Sequence, residues 1–142
     1  MTTEPRIFSV EEAERALPLV RRIVLDLQAE YPLWREAVGK FELASMGHHP
    51  GAAESGELVA SQRDVTERAE RISGYLAELD QVGCVFKGFE AGLVDFYSLR
   101  EDRLVFLCWR LGEARVTHWH ELDAGYAGRR PIDEPTLTGT VP

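Results

Sequence analysis

The chain has 142 residues, 44% hydrophobic and 28% charged, a composition typical of one soluble globular domain rather than a disordered segment. The net charge of −8 is spread over both halves without a stripe of Lys and Arg, which argues against nucleic acid and anionic membranes as partners. No run approaches the roughly 18 apolar residues of a transmembrane helix, and no signal peptide is recognisable, so we expect a cytoplasmic protein.

The first third of the chain has the pattern of a packed helix. From Val10 onward, apolar residues recur at alternating steps of three and four, as in the contact seam of a helix pair. Pro18 and Pro32 interrupt this pattern, because each removes a backbone donor and clashes with the preceding turn. The sequence therefore predicts a short helix over about residues 10–17 and a longer one over about residues 19–44, kinked near Pro32.

A second seam of the same spacing predicts a helix over about residues 56–82 that ends at Gly83, a usual helix-terminating residue. Gln62 is the polar member of this seam, and a polar residue at such a position can fix the register of a helix pair. The stretch between the helices, SMGHHPGAAESG, is a glycine-rich loop. Its His48 and His49 are a weak metal candidate, because such a loop is poorly preorganised.

Two helices joined by one loop must run antiparallel, which makes a coiled-coil-like hairpin. In the resulting register Tyr31 faces Ala69 and Trp34 faces Val65, so that large residues meet small ones. The first helix also carries apolar residues outside its seam, namely Leu19, Ile23, Leu25, Leu33 and Ala37. One partner helix cannot cover all of this surface, so a homodimer through the hairpin is the leading expectation for a partner.

From Cys84 onward the pattern changes to short stretches rich in β-branched and aromatic residues, separated by glycine or charged turns. The stretches are CVFKGF, GLVDFYSL, RLVFLCWRL and ARVTHWHEL. They predict a small antiparallel sheet of three or four strands within residues 84–131, followed by a mobile tail over residues 132–142. The predicted fold class is thus α+β, with a helical hairpin in residues 1–83 and the sheet forming one compact unit.

Several motifs resemble a bacterial family known as domain of unknown function 2203. They are GLVDF, LCWRLGE and WHELDAGYAGR, which lie behind a hairpin that starts FSVEEAERALP. The resemblance covers nearly the whole chain and supports the predicted architecture, but it implies no activity. In the family's pattern Trp119, His120 and Glu121 belong to the motif and His118 does not, which implies that His118 is a feature of this chain.

The HWHE segment is the strongest metal candidate. Side chains two apart on a strand share a face, with backbones about 6.6 Å apart, so His118 and His120 can both reach one ion. A carboxylate from Asp95 or Asp123 would complete a site for zinc, iron or nickel, whereas Glu121 points to the opposite face. The competing interpretation is a strand end whose two histidines simply face solvent.

A cluster of charged residues lies in the same strand and turn motifs. It consists of Asp95, Arg110, Glu113, Glu121 and Arg129, flanked by Trp109, Trp119 and Tyr126. An arginine that holds a carboxylate through two hydrogen bonds would fix the C-terminal turn onto the sheet, and this structural role is favoured. The alternative is a pocket for a small anionic ligand, anchored by Arg110 or Arg129 with tryptophan as its wall.

No catalytic constellation in the sequence is complete. Nucleophile-elbow and phosphate-binding motifs are missing, and Cys84 and Cys108 lie in apolar surroundings that are typical of buried thiols. The sequence therefore favours a non-enzymatic interaction or scaffold protein. The alternatives are a metal-binding protein that uses His118 and His120 with a carboxylate, possessing hydrolytic or redox chemistry, and the anion pocket at the two arginines.

Overall fold

The structure, a computed structural model, describes residues 5–47, 55–132 and 137–138. In this part of the chain two helices come first, α1 (Val10–Met46) and α2 (Gly56–Val82). They precede six strands: β1 (Cys84–Gly88), β2 (Leu93–Arg100), β3 (Arg103–Arg110), β4 (His118–Glu121), β5 (Arg130–Pro131) and β6 (Leu137–Thr138). The strands pair antiparallel in the order β1-β2-β3-β4-β5, and β6 pairs with β2. The predicted α+β fold is confirmed.

Local signals in the sequence set the helix ends. Ser9 and Glu12 form a capping box, in which the Ser9 hydroxyl accepts from the Glu12 N–H and the Glu12 carboxylate accepts from the Ser9 N–H. Ser55 caps α2 in a similar way through the Leu58 N–H. Gly83 ends α2 in the left-handed conformation with a φ of 102°, as expected of a glycine at this position.

The predicted interruption of the first helix is wrong. α1 continues without a break from Val10 to Met46, with Pro18 and Pro32 inside it. A proline inside a helix costs about 3 kcal/mol, whereas each fully buried aliphatic side chain contributes about 1.5–3 kcal/mol. Leu17, Val20 and Ile23 are all buried around Pro18, so tertiary packing outweighs the local penalty.

The two ends of the helical hairpin are buried to different extents. The residues of α1 nearest its start pack into the core with one face of the sheet, whereas the far half of the hairpin is only half-buried. Tyr31, Trp34 and Ala69 line one cleft together with Phe89, which follows β1. Gln62 is exposed near the open end. None of the helices in the described ranges is long and apolar enough to cross a membrane.

The two faces of the sheet have different chemistry because side chains alternate along each strand. The face toward the helices carries fully buried apolar residues: Val94, Phe96, Val105, Leu107, Trp109 and Trp119. Between them, on the opposite face, lie Asp95 on β2, Cys108 on β3 and His120 on β4. A polar cluster is thereby held on the side of the sheet away from the helices.

The sheet has more strands than predicted. β1 to β4 match the four predicted stretches, but residues 84–131 also contain β5, which makes five strands rather than three or four. β5 has two residues, and one of them is a proline, so it offers no alternating pattern to recognise. Its pairing with His118 and Trp119 on β4 is a consequence of the turn that precedes it.

The predicted tail also contains ordered structure. β6 pairs with Leu99 and Arg100, so a mobile tail is the wrong description at Leu137–Thr138. The reason is that β1 covers β2 only as far as Phe96 and leaves the rest of that edge open. The N-terminal segment fills the gap, because the Phe8 N–H donates to the Tyr97 carbonyl at 2.7 Å.

Candidate functional site

Three strands bring Asp95, Cys108 and His120 together in the interior of the protein. All three side chains are buried, and one ligand-type atom of each lies within 4.8 Å of the others. They offer a carboxylate oxygen, a thiol sulfur and an imidazole nitrogen, which are the three donor types that zinc takes from proteins. Among the described residues this is the group that has the composition and spacing of a metal site.

The strand register explains why these residues meet. Asp95 and Cys108 are direct partners in the β2–β3 pair, and His120 is the partner of Phe106, one position along the same face. A two-residue turn, Glu101–Asp102, joins β2 to β3, and both of its residues have positive φ angles of 51° and 66°. This is the backbone of a type I′ turn, which fixes the register of a hairpin.

The hydrogen bonds of His120 define its tautomer. Nδ1 lies 2.7 Å from the carbonyl oxygen of Glu121, and a carbonyl only accepts, so Nδ1 carries a proton and donates. Nε2 lies 3.1 Å from Oδ2 of Asp95. Nε2 is therefore the nitrogen that faces the cluster and contacts the Asp95 carboxyl group.

Asp95 is the acidic member of the cluster and is almost completely buried. Burial raises the pKa of its carboxyl group above the usual value, and His120 and Lys87 oppose part of that rise. Lys87 from β1 places its ammonium 3.7 Å from Oδ2. Oδ1 is buried and accepts no hydrogen bond from the described residues. A buried oxygen with unused lone pairs is a position where a cation gains stabilisation.

Cys108 is buried, as the sequence predicts, but it lies on the face of the sheet away from the helices, opposite Asp95. Burial raises the pKa of this thiol to about 12, and the nearby Asp95 charge acts in the same direction. A cysteine-based hydrolytic triad does not fit the geometry. Both nitrogens of His120 are engaged, by Glu121 and Asp95, so neither accepts the thiol proton.

A cavity of about 250 Å³ opens onto the cluster. Its lining comprises the three clustered residues together with Lys87, Leu93, Leu122, Gly125 and Tyr126. The last three belong to the segment after β4, which folds back over this face of the sheet. The cluster thus has a route to solvent on one side and a dry protein interior on the other.

The structure assigns the predicted metal residues differently from the sequence. His120 and Asp95 are in the cluster, but His118 is not, because Nδ1 of its ring lies 2.7 Å from Nη2 of Arg129. Asp123 is exposed and is not a member of the cluster either. The pair His48 and His49 lies outside the described residues.

The predicted network of charges is split between two separate contacts. Arg129 donates to Glu113 at 2.6 Å and packs on the Tyr126 ring at 4.7 Å, which holds the C-terminal turn against β3. Glu121 instead pairs with Arg103 through two hydrogen bonds of 3.0 and 2.7 Å. Trp109 and Trp119 are buried on the helix side of the sheet, and the Trp109 indole N–H donates to the backbone carbonyl of Glu113 at 2.9 Å.

The two arginines of the predicted anion pocket lie in different surroundings. Arg129 is mostly buried against Glu113, and Arg110 is exposed. Neither arginine lines the cavity beside the cluster. Its short ion pair and its contact with the Tyr126 ring make Arg129 a structural tie, while its Nη1 atom is buried and makes no hydrogen bond to the described residues.

The cluster also fits zinc by distance. Tetrahedral bonds of about 2.0–2.3 Å place the ligand atoms of a zinc site about 3.3–3.8 Å apart. The 3.1 Å separation of Nε2 and Oδ2 is already close to this range, and the thiol is within 4.8 Å of both.

Fold and site together define an α+β protein in which a helical hairpin covers one face of an antiparallel sheet and a buried Asp-Cys-His cluster occupies the other. A family model described as an uncharacterized conserved protein (DUF2203) matches residues 6–132. The chain belongs to this family. Neither a curated protein nor a solved structure matches the chain.

Proposed function

We propose that the protein binds one zinc ion through Asp95, Cys108 and His120, with the fourth coordination position open to the adjacent cavity. The observation that carries this proposal is the burial of three different zinc-ligand types from three strands within 4.8 Å of one another. Three protein ligands with an open position are the pattern of catalytic zinc sites, in which the metal activates a bound water.

Two features around the cluster support a metal. Histidines that bind metals usually donate their second N–H to a carbonyl or a carboxylate, and Nδ1 of His120 makes such a bond to Glu121. The second feature is Oδ1 of Asp95, a buried oxygen that accepts no hydrogen bond from the described residues and so has lone pairs available for a cation. The donor set favours zinc over magnesium or calcium because it includes a thiolate, although iron and nickel accept the same donor types.

The first test is the metal content of untagged protein purified without added metal. We expect nearly one zinc per chain, lost in Cys108→Ala and in His120→Ala. The chain supplies matched controls, because Cys84 is the other buried thiol and His118 the neighbouring histidine, and neither belongs to the cluster. Cys84→Ala and His118→Ala should keep the metal.

A second measurement, made on the native protein, keeps the proposal testable if the variants fail to fold. Cobalt(II) added to the native protein should produce a thiolate-to-cobalt charge-transfer band, and zinc should remove it by displacement. Native protein that contains no metal and takes up neither ion at micromolar concentration would contradict the proposal.

A homodimer through the hairpin is a second candidate role. It is supported by the apolar residues that the two helices expose: Leu19, Leu25, Leu33, Leu43, Met46 and Val59. Sedimentation equilibrium tests it, and Leu33→Lys should lower the mass from two chains to one. An interaction or scaffold role of the hairpin and zinc binding by the sheet occupy different surfaces, so one does not exclude the other.

A reducing compartment such as the cytoplasm suits the proposed site. Both cysteines are free thiols, and a reducing environment keeps Cys108 available as a ligand.

A further inference from the structure

Lys87 is the one lysine or arginine among the described residues that line the cavity. The sequence contains only two lysines against fourteen arginines, and this lysine is one of the two. Its ammonium lies 3.7 Å from Oδ2 of Asp95 and 4.5 Å from the centre of the Phe106 ring. Among the described residues it makes no hydrogen bond of normal length, so its three donors are available to a ligand.

The charges around the cavity favour one negative charge in a ligand. A zinc ion carries two positive charges, and the Asp95 carboxylate and the Cys108 thiolate cancel both when they coordinate it. Lys87 then leaves a net charge of about +1 at the cavity. The nearby ion pairs, Glu113 with Arg129 and Glu121 with Arg103, are neutral overall. The exposed Arg110 guanidinium, 3.5 Å from the Tyr126 hydroxyl, adds positive charge on the same side.

The volume and the walls of the cavity define the rest of the ligand. A cavity of about 150 Å³ holds a benzene molecule, so the 250 Å³ present here suits about ten non-hydrogen atoms. Leu93 and Leu122 provide apolar walls, and the Tyr126 ring lies at the rim. A small ligand with one charged end and an apolar body matches this surface.

We propose that the cavity binds a small organic monocarboxylate of about ten non-hydrogen atoms, an inference that rests on the proposed zinc site. Its carboxylate occupies the open position of the metal and pairs with the Lys87 ammonium, and its apolar body packs on Leu93 and Leu122. Lys87 suits this role because a compact ammonium on a flexible stem follows a small anion more easily than a planar guanidinium does.

The test uses the full chain loaded with cobalt(II), whose visible spectrum changes when a ligand enters the open position. Acetate, propionate and benzoate are titrated as probes, with acetamide, propionamide and benzamide as neutral partners of the same shape. Lys87→Met removes the charge while keeping the length of the side chain. Lys40→Met is the matched control, because Lys40 is the other lysine and lies exposed on α1, where it pairs with Glu36.

We expect benzoate to perturb the spectrum at lower concentration than acetate, and the amides to have no effect. Lys87→Met should weaken benzoate binding about tenfold, since a hydrogen bond to a charged group is lost, while Lys40→Met should leave it unchanged. Equal binding of benzoate and benzamide, or unchanged affinity in Lys87→Met, would overturn the inference. A missing cobalt charge-transfer band in the native protein would instead overturn the proposed zinc site, and the inference with it.

Discussion

Asp95 on β2 and Cys108 on β3 are direct partners across the hairpin, and the two-residue turn Glu101–Asp102 is what sets them opposite each other. A shift of one residue in this register would move one of the two side chains to the helix-facing side of the sheet. The turn is therefore as important to the candidate site as the ligands themselves, although it lies at the far end of the hairpin.

Substitutions in the Glu101–Asp102 turn should stabilise the protein. Glu101 and Asp102 both adopt positive φ angles, which disfavour residues with a Cβ atom. The double variant Glu101→Asn with Asp102→Gly supplies the residues that a type I′ turn prefers, so its free energy of unfolding should rise by about 1 kcal/mol. Urea denaturation measures the change, and a lower midpoint than that of the native protein would contradict the turn assignment.

Gly92 should tolerate no side chain. It has a φ of 64°, and an added Cβ would lie 2.8 Å from Cβ of Leu111 and 3.0 Å from Cγ1 of Val24. Gly92→Ala should therefore lower the free energy of unfolding by about 2 kcal/mol. The matched control is Gly74→Ala on α2, where an added Cβ meets nothing within 4 Å and should stabilise by about 0.5–1 kcal/mol. Similar effects of the two substitutions would show that the predicted clash at Gly92 is absent.

Removing the metal should destabilise the protein if the proposed site is correct. A ligand present at a hundred times its dissociation constant stabilises the folded state by about 2.7 kcal/mol. In a domain of this size, treatment with a strong chelator should then lower Tm by roughly 5–10 °C, and added zinc should restore it. His120→Ala should show the lower Tm with or without zinc, and a chelator effect of the same size in this variant would point to a different binding site.

Alkaline pH should weaken the fold through Cys84. Burial raises the pKa of this thiol from its ordinary 9.0 to about 12, and its Sγ lies 3.4 Å from the Leu79 carbonyl. Because the folded-state pKa is the higher one, the stabilising contribution is complete below pH 9 and is lost as the pH rises from there toward 12. Above pH 9 the free energy of unfolding of the native protein should therefore fall with pH more steeply than that of Cys84→Ala. The difference in slope should be up to about 1 kcal/mol per pH unit.

Thermal unfolding of Cys84→Ala and of the native protein between pH 7 and pH 11 measures this difference in stability. Below pH 8 the two proteins should show parallel pH dependence, since the thiol is protonated in both the folded and the unfolded state. If the two curves also run parallel above pH 9, the Cys84 thiol ionises as easily in the folded state as in the unfolded state. That result would contradict the burial of this thiol.

Arg129 should be needed to hold the turn that covers the candidate site. Arg129→Ala removes the 2.6 Å ion pair with Glu113, the contact with His118 and the packing on Tyr126. We expect a loss of about 2 kcal/mol in the free energy of unfolding and faster hydrogen exchange over residues 122–129. Arg130→Ala is the control, because this neighbouring arginine is exposed and makes only a long contact of 5.6 Å with the Trp119 ring, so its loss should change stability by at most about 1 kcal/mol.

The helical part of the fold was readable because its pattern is long. The seam of α1 repeats over many turns, and the capping residues Ser9 and Ser55 flank the helices that they start. The proline rule failed at Pro18 because it describes a local cost. Whether Leu17 and Val20 are buried on either side of it depends on the sheet, and residues far along the chain supply that packing.

Only part of the candidate site could be predicted from the sequence. His120 and Asp95 stand out as polar residues within apolar strands, but Cys108 in FLCWR resembles ordinary core. Strict alternation along β3 separates Cys108 from its neighbours Leu107 and Trp109, and recognising the Glu101–Asp102 turn would then have paired it with Asp95. The family resemblance already set His118 apart from the motif, but the contact of His118 with Arg129 had no signal in the sequence, since it depends on the position of the Arg129 side chain.

The edge of β2 that faces away from β3 is closed by three separate pieces of chain. β1 pairs with its first half, Phe8 bonds to Tyr97, and β6 pairs with Leu99 and Arg100 at its end. During synthesis the last of these pieces leaves the ribosome after the helices and the other strands. Until then the end of β2 presents unpaired backbone groups, and this is the position where a newly made chain is most exposed to pairing with a strand of another copy.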